Sequence, residues 1–167
     1  LGAQCMLWDT SPAAAELEEK VMNWLRDMLG LPGYMHGVIQ DTASSSTLTA
    51  LLTAREKYSD GKVNREGFAD YLQLRVYASQ EAHSSVDKAV KIAGFGHENL
   101  VRIPVDNAFR MDPARLEEAI SLDLKNGMRP LAVVATLGTT GTTSVDPLPE
   151  IASVCKKHNL WLHVDAA

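Results

Sequence analysis

The sequence predicts an α/β protein built on a largely parallel sheet with helices on its faces. Three observations carry that expectation. From about residue 74 onward, short β-rich runs alternate with segments of helical period. Leu131 to Leu137 is a continuous, mostly apolar run, the pattern of a strand buried on both faces. The chain closes on Trp161-Leu162-His163-Val164-Asp165-Ala166-Ala167, an apolar stretch that ends in an acid and two very small residues. In an open parallel sheet, ligands bind in the crevice outside the carboxyl ends of the strands. Asp165 at such an end points at a ligand, and it favours one that carries a proton or a positive charge.

The elements follow in order. Ser11-Pro12 is expected to open a helix, with the hydroxyl as cap and proline in the first turn. Leu17, Val21, Trp24, Leu25 and Met28 form its apolar stripe, and Gly30 and Pro32 stop it. His36 to Gln40 reads as a short strand or turn. Asp41 to Ser46 leads into a second helix through Leu48, Leu51, Leu52 and Arg55. Tyr58 to Glu66 reads as a surface connection. Leu74 to Ser79 is a strand and His83 to Ala93 a helix ended by Gly94. Val101 to Val105 is a strand that Pro104 assigns to an edge or an end. Asp112-Pro113 caps a helix that stops near Gly127. Asp146-Pro147 begins another, before the closing strand from Leu160 to Val164. The division expected is a helical segment over residues 1–35, leading into a large domain over 36–167.

With 167 residues, 46% hydrophobic and 22% charged, the chain has the composition of a globular domain with a sizeable core. A net charge of −5 without a basic stripe argues against a nucleic-acid partner. Lys156-Lys157-His158 reads as the cationic last turn of a helix. No apolar run is long enough to span a bilayer. Cys5 and Cys155 do not make a disulfide framework, which fits a reducing, cytoplasmic compartment. Leu1-Gly2-Ala3-Gln4 has neither a basic n-region nor a Met, and the chain stops directly after a strand; both ends read as those of a fragment.

Three stretches bear chemistry. Thr42, Ala43 and Ser44 stand where a helix begins, and its unpaired N–H groups and positive dipole end suit an anion. The same pattern also describes a plain hydroxyl-rich cap. His83 follows a strand at a helix start, where a neutral imidazole stacks, donates or accepts; a satisfied structural histidine is the commoner outcome. Thr136-Leu137-Gly138-Thr139-Thr140-Gly141-Thr142-Thr143 follows the most buried strand, so its hydroxyls emerge at the same sheet edge as Asp165. That convergence says more than any one motif. Cys155, His158, His163 and Asp165 can be written as a metal set, but strand and helix placements split them, and no metal is expected.

These segments, in this order, resemble the group II pyridoxal-phosphate-dependent amino acid decarboxylases, and most closely their aromatic-L-amino-acid decarboxylase branch. The resemblance rests on Trp8-Asp9-Thr10-Ser11-Pro12, Gly37-Val38-Ile39-Gln40, Ala82-His83-Ser84-Ser85-Val86, Ala135-Thr136-Leu137-Gly138-Thr139-Thr140 and Trp161 to Ala167. It implies the large domain of a fold-type I pyridoxal-phosphate enzyme, here incomplete. It implies pyridoxal 5'-phosphate as cofactor, an aromatic L-amino acid as small-molecule substrate, decarboxylated to its amine and carbon dioxide, and a homodimer in the full-length enzyme. It implies that Asp165 pairs with the protonated pyridine nitrogen, that His83 stacks on the ring and meets substrate, and that Thr42, Ala43 and Ser44 bind the phosphate. Thr140 contacts the cofactor from its turn, Met6 lines the substrate pocket, Trp8 lines the same pocket or packs against the first helix, and Asp146 is structural. The family's Schiff-base lysine falls beyond Ala167, so the chain by itself is expected to be inactive. Decarboxylation of an acidic or diamino acid, aldehyde-forming oxidative decarboxylation and a non-catalytic binding or dimerising role remain as alternatives.

Overall fold

A computed structural model of the chain describes residues 7–68 and 73–167, in two compact units, Leu1–Asp41 and Thr42–Ala167. In the first unit α1 runs Pro12–Met28, with Ser11 at the N-cap and Pro12 in the first turn. The Ser11 hydroxyl makes no capping bond, contrary to expectation. Its ψ of 76° departs from the extended geometry in which a cap side chain reaches back to the helix. His36 to Gln40 forms no strand; the Glu18 carboxylate instead accepts the Ile39 N–H at 2.6 Å and holds this segment to α1.

The second unit contains the sheet. Its elements are α2 (Ala43–Ser59), α3 (Lys62–Glu66), β1 (Leu74–Ser79), α4 (Ser84–Ile92), β2 (Leu100–Ile103), α5 (Pro113–Lys125), β3 (Arg129–Thr136), α6 (Leu148–His158) and β4 (Trp161–Asp165). The strands are ordered β2-β1-β3-β4 and every neighbouring pair is parallel. This is the α/β architecture that the alternation predicts. β2 lies at an edge and stops at Ile103, immediately before Pro104. No described helix is long and apolar enough to cross a membrane.

The single-turn α3 occupies what reads in sequence as a loop. Asp60 and Gly61 both take left-handed backbone and turn the chain sharply after α2. Glu56 then accepts the Asn64 N–H (3.2 Å), and Val63, only 5% exposed, fills the space beneath. A single Val bracketed by polar residues gives no periodic signal, so the element was invisible to pattern.

Each face of the sheet carries its own core. On one face Val76, Ala78, Ala132 and Val134 pack with Leu51 and Ala54 of α2 and with Val86 and Val90 of α4. On the other, Tyr77, Val133 and Ala135 pack with Leu116 and Ile120 of α5 and with Ile151 and Val154 of α6. β3 is central, and every residue after Arg129 is buried. The Tyr77 hydroxyl reaches through the second core to donate to Asp123 (2.7 Å), and burial raises its pKa. Gly94 ends α4 at φ +84°, and a Cβ there would stand 2.8 Å from the Phe68 ring, so glycine is required for both conformation and space.

The end of β3 is fixed by Asp146, which is 2% exposed. Its N–H donates to the Thr136 carbonyl (3.0 Å), and its carboxylate accepts the N–H groups of Thr136 (2.8 Å) and Met111 (2.7 Å). It therefore does not cap α6, whose N-cap is Pro147. Asp146→Ala would leave two buried N–H groups without an acceptor, each costing about 1–3 kcal/mol. We expect the full-length protein carrying this change to lose roughly 2 kcal/mol or more in chemical denaturation. An unchanged midpoint and slope would show that water replaces the carboxylate.

Candidate functional site

At the carboxyl edge of the sheet, Ala43, Ser44, His83, Ser85, Thr136, Gly138, Thr140, Asp165 and Ala167 line one recess of about 140 Å³. A second recess, of about 200 Å³, shares Ala43, Asp165 and Ala167 and adds Ser46, Thr47 and His163. Asp165 therefore borders both recesses. A larger recess of about 370 Å³ lies at the opposite edge, where β3 and β4 begin, around Lys57, Leu131 and Trp161. Its size does not make it the site, because the hydroxyls, imidazole and carboxylate singled out in the sequence gather at the other edge.

Parallel topology explains the gathering. Each strand ends at this edge, and the helix after it begins there. α4 begins just beyond β1, with His83 as its N-cap. His83 Nδ1 lies 3.2 Å from the Ser85 N–H and accepts from it, and it stands 2.9 Å from the Ser85 hydroxyl. In the neutral ring that geometry assigns the proton to Nε2. The ring is exposed, so its face and Nε2 stay available to a ligand.

α2 contributes its first turn. Thr42 is its N-cap in a reciprocal capping box: Ser45 N–H donates to the Thr42 hydroxyl (3.1 Å) and Thr42 N–H to the Ser45 hydroxyl (3.2 Å). Ser46 N–H donates to the Thr42 carbonyl (3.1 Å). Helix geometry leaves the Ala43 and Ser44 N–H groups to an outside acceptor. Thr42 itself lies outside the recess lining, its hydroxyl engaged in the cap, whereas Ala43 and Ser44 are in the lining.

The turn after β3 is tightly wired. Thr139 Oγ1 lies 2.7 Å from Thr142 Oγ1 and 2.8 Å from Ser144 Oγ, and Ser144 Oγ donates to the Phe109 carbonyl (2.8 Å). Thr143 takes φ +54°, a conformation that costs energy in a β-branched residue, and Gly138 takes φ +94°. These bonds hold the turn that presents Thr140 to the recess.

Asp165 closes β4, paired in register with Thr136. Its carbonyl accepts the Leu137 N–H (2.8 Å), and Oδ1 accepts a long bond from the Ala167 N–H (3.3 Å). His163, two residues earlier, shares its face by strand alternation. Cys155 lies on the far side of the sheet, in the α5–α6 core, where burial pushes its thiol up to about 11. The sheet thus separates Cys155 from His163 and Asp165. Trp8 is exposed in the first unit, and Met6 lies outside the described residues.

The cleft has the polarity of pyridoxal phosphate. Helix-start N–H groups suit its phosphate, a flat imidazole suits its ring and a carboxylate suits its protonated nitrogen. Thr136 is also in the lining, and its buried Oγ1 has no hydrogen-bond partner among the described residues. Thr136 was read in sequence only as the start of a hydroxyl-rich turn; nothing in its neighbours distinguishes it from a strand-end threonine.

Comparison with known proteins gives a consistent result. Residues 1–167 match the family model described as the pyridoxal-dependent decarboxylase conserved domain. Tyrosine decarboxylase 4 of Petroselinum crispum is 44% identical over 96% of this chain and 32% of its own length. Histidine decarboxylase of Rattus norvegicus is 44% identical over 96% of this chain and 26% of its own. The crystal structure of Oryza sativa TDC with PLP and tryptamine superposes with a TM-score of 0.89 at 37% identity, over 99% of this chain and 35% of that one. The chain spans about a quarter to a third of the length of these relatives.

His163 supplies a prediction. Burial lowers its pKa from the ordinary 6.5, with Asp165 opposing, so the folded ring stays neutral where the unfolded one takes a proton. Below about 6.5 the unfolded state binds more protons, and stability falls as pH falls toward the lowered folded value. Denaturation of the full-length protein between pH 7.5 and 5 is expected to show that decline, and His163→Gln to make it shallower. Identical slopes would place the acid sensitivity elsewhere.

Proposed function

The chain belongs to the pyridoxal-dependent decarboxylase family, and from that premise we propose that the full-length protein decarboxylates an aromatic L-amino acid to its amine and carbon dioxide. The observation that carries the proposal is the convergence of Asp165, His83, Thr140 and the start of α2 on one cleft. Parsley tyrosine decarboxylase and the rice protein with tryptamine support an aromatic substrate. Equal identity to rat histidine decarboxylase gives a second reading, with an imidazole as the substrate ring.

The chemistry that bound pyridoxal phosphate supplies is a sink for the electron pair left on the α-carbon as carbon dioxide departs. Asp165 holds the proton on the pyridine nitrogen, because a carboxylate favours a charged partner. His83, its Nδ1 committed to Ser85, offers a ring face to the cofactor and an Nε2–H to the substrate side. Ala43 and Ser44 hold the phosphate through the first-turn amides, and Thr42 orders that turn. Thr140 orients the cofactor from the wired turn. No lysine lines either recess, so we assign the Schiff-base lysine to sequence outside these residues. The working enzyme is a cytoplasmic homodimer in this reading.

Purified full-length protein with pyridoxal phosphate should release amine and carbon dioxide from at least one of tyrosine, DOPA, tryptophan, 5-hydroxytryptophan, phenylalanine or histidine. Release only from acidic or diamino acids, aldehyde and peroxide among the products, or no turnover at all would each sink the proposal. Asp165→Ala should lower kcat by roughly 100-fold or more with little change in melting temperature. The 167-residue chain alone should produce no amine.

A further inference from the structure

We propose that Thr136 is a positioning residue of the cofactor site, its hydroxyl holding the Asp165 carboxylate in line for the pyridine nitrogen. The inference rests on the cofactor reading above. Thr136 is 5% exposed, and its Oγ1 is fully buried without a hydrogen-bond partner. Buried hydroxyls are normally satisfied, and threonines elsewhere in this chain return theirs to the backbone, as Thr53 does to the Thr49 carbonyl at 2.8 Å. If the hydroxyl had no use, valine would fill the same volume at the end of an otherwise apolar strand. Its retention at the recess points to a partner gained when the site is filled.

Register names that partner as the Asp165 carboxylate, which makes no bond to Thr136 Oγ1 here and must turn to accept one. Thr136 on β3 is directly paired with Asp165 on β4. Alternation puts the Thr136 side chain on the face of Ala132 and Val134, and Asp165 on the face of Trp161. Both side chains therefore stand on the α2–α4 face, on adjacent strands. The Thr136 peptide cannot drift, because Asp146 binds both its N–H and its carbonyl. The Asp165 carboxylate, by contrast, is lightly held, with its long bond from Ala167. A rigid hydroxyl beside a loosely held carboxylate is suited to fix its rotation. A carboxylate fixed against the ring nitrogen keeps that nitrogen protonated. The titratable groups around Asp165 are His163 on its own strand and His83 across the recess, with Asp146 behind the Thr136 peptide.

The test uses full-length protein stripped of cofactor and then titrated with pyridoxal phosphate. Thr136→Val removes the hydroxyl at constant volume, and Thr136→Ser restores it. Thr136→Val should weaken cofactor binding by about tenfold and move the pH at which the bound cofactor's visible absorbance changes. Thr136→Ser should behave as the parent does, and the cofactor-free melting temperature should hold across the set. In an Asp165→Asn background, Thr136→Val should have no further effect on either readout. The proposal is overturned if Thr136→Val binds and titrates normally, if Thr136→Ser behaves like Thr136→Val, or if the two changes prove independent. Should Asp165→Asn alone leave cofactor affinity and absorbance untouched, the cofactor reading itself has failed. Loss of affinity in Asp165→Asn with a silent Thr136→Val sinks only the present inference. If Thr136→Val does not fold, Thr136→Ala with Thr136→Ser gives the same contrast.

Discussion

The peptide that joins Thr136 to Leu137 is held from both sides. Asp146 takes the N–H and the carbonyl of Thr136, while the next N–H, from Leu137, donates to the Asp165 carbonyl. One short segment thus ties the end of β3 to the end of β4 and to the return of the turn that carries Thr140. The carboxylate also reaches the Met111 N–H, drawing the loop before α5 to the same point. A buried carboxylate with two backbone N–H partners tolerates little displacement, since each lost bond exposes an unsatisfied group to a dry interior. The placement of Asp165 relative to the start of α2 and to His83 depends on that clamp.

Why such a clamp is needed follows from the sheet. β3 is covered on both faces, so its side chains are spent on packing. Polar function is confined to the place where the strand stops and to the helices that begin there. Strand ends expose carbonyls and acids; helix starts expose N–H groups. A parallel sheet collects both at one edge, so a recess there holds a carboxylate and anion-binding amides side by side. A ligand with a phosphate at one end and a protonated ring at the other matches that contrast.

The legible parts of the sequence were those set by local chemistry. Asp112-Pro113 announced α5, and the Asp112 carboxylate does accept from the Ala114 and Arg115 N–H groups. The apolar run at Leu131 announced the central strand. The cluster from Thr42 to Ser46 announced a helix start, and there the structure supplies a capping box. What sequence could not show was where side chains spend their bonds across distance. Asp146 beside a proline looks like a helix cap, yet its partners are Thr136 and a residue 35 positions away. Ser11 is the N-cap and its carbonyl accepts the Ala15 N–H, yet its hydroxyl makes no capping bond, because one backbone angle turns it away. α3 depends on a single buried valine after two left-handed residues, Asp60 and Gly61, too small a pattern for any period to reveal.

His163 and Thr136 belong to the same lesson, seen from the site. Strand alternation alone places His163 and Asp165 on one face, and pairing of β3 with β4 brings Thr136 alongside. Two buried polar atoms without a partner among the described residues, Thr136 Oγ1 and His163 Nε2, belong to residues on the same face of the sheet as that carboxylate. In a closed core such atoms would be replaced by apolar groups of the same shape at little cost. Kept beside a carboxylate that is itself lightly bonded, they are consistent with a surface that is completed by its ligand rather than by its own fold.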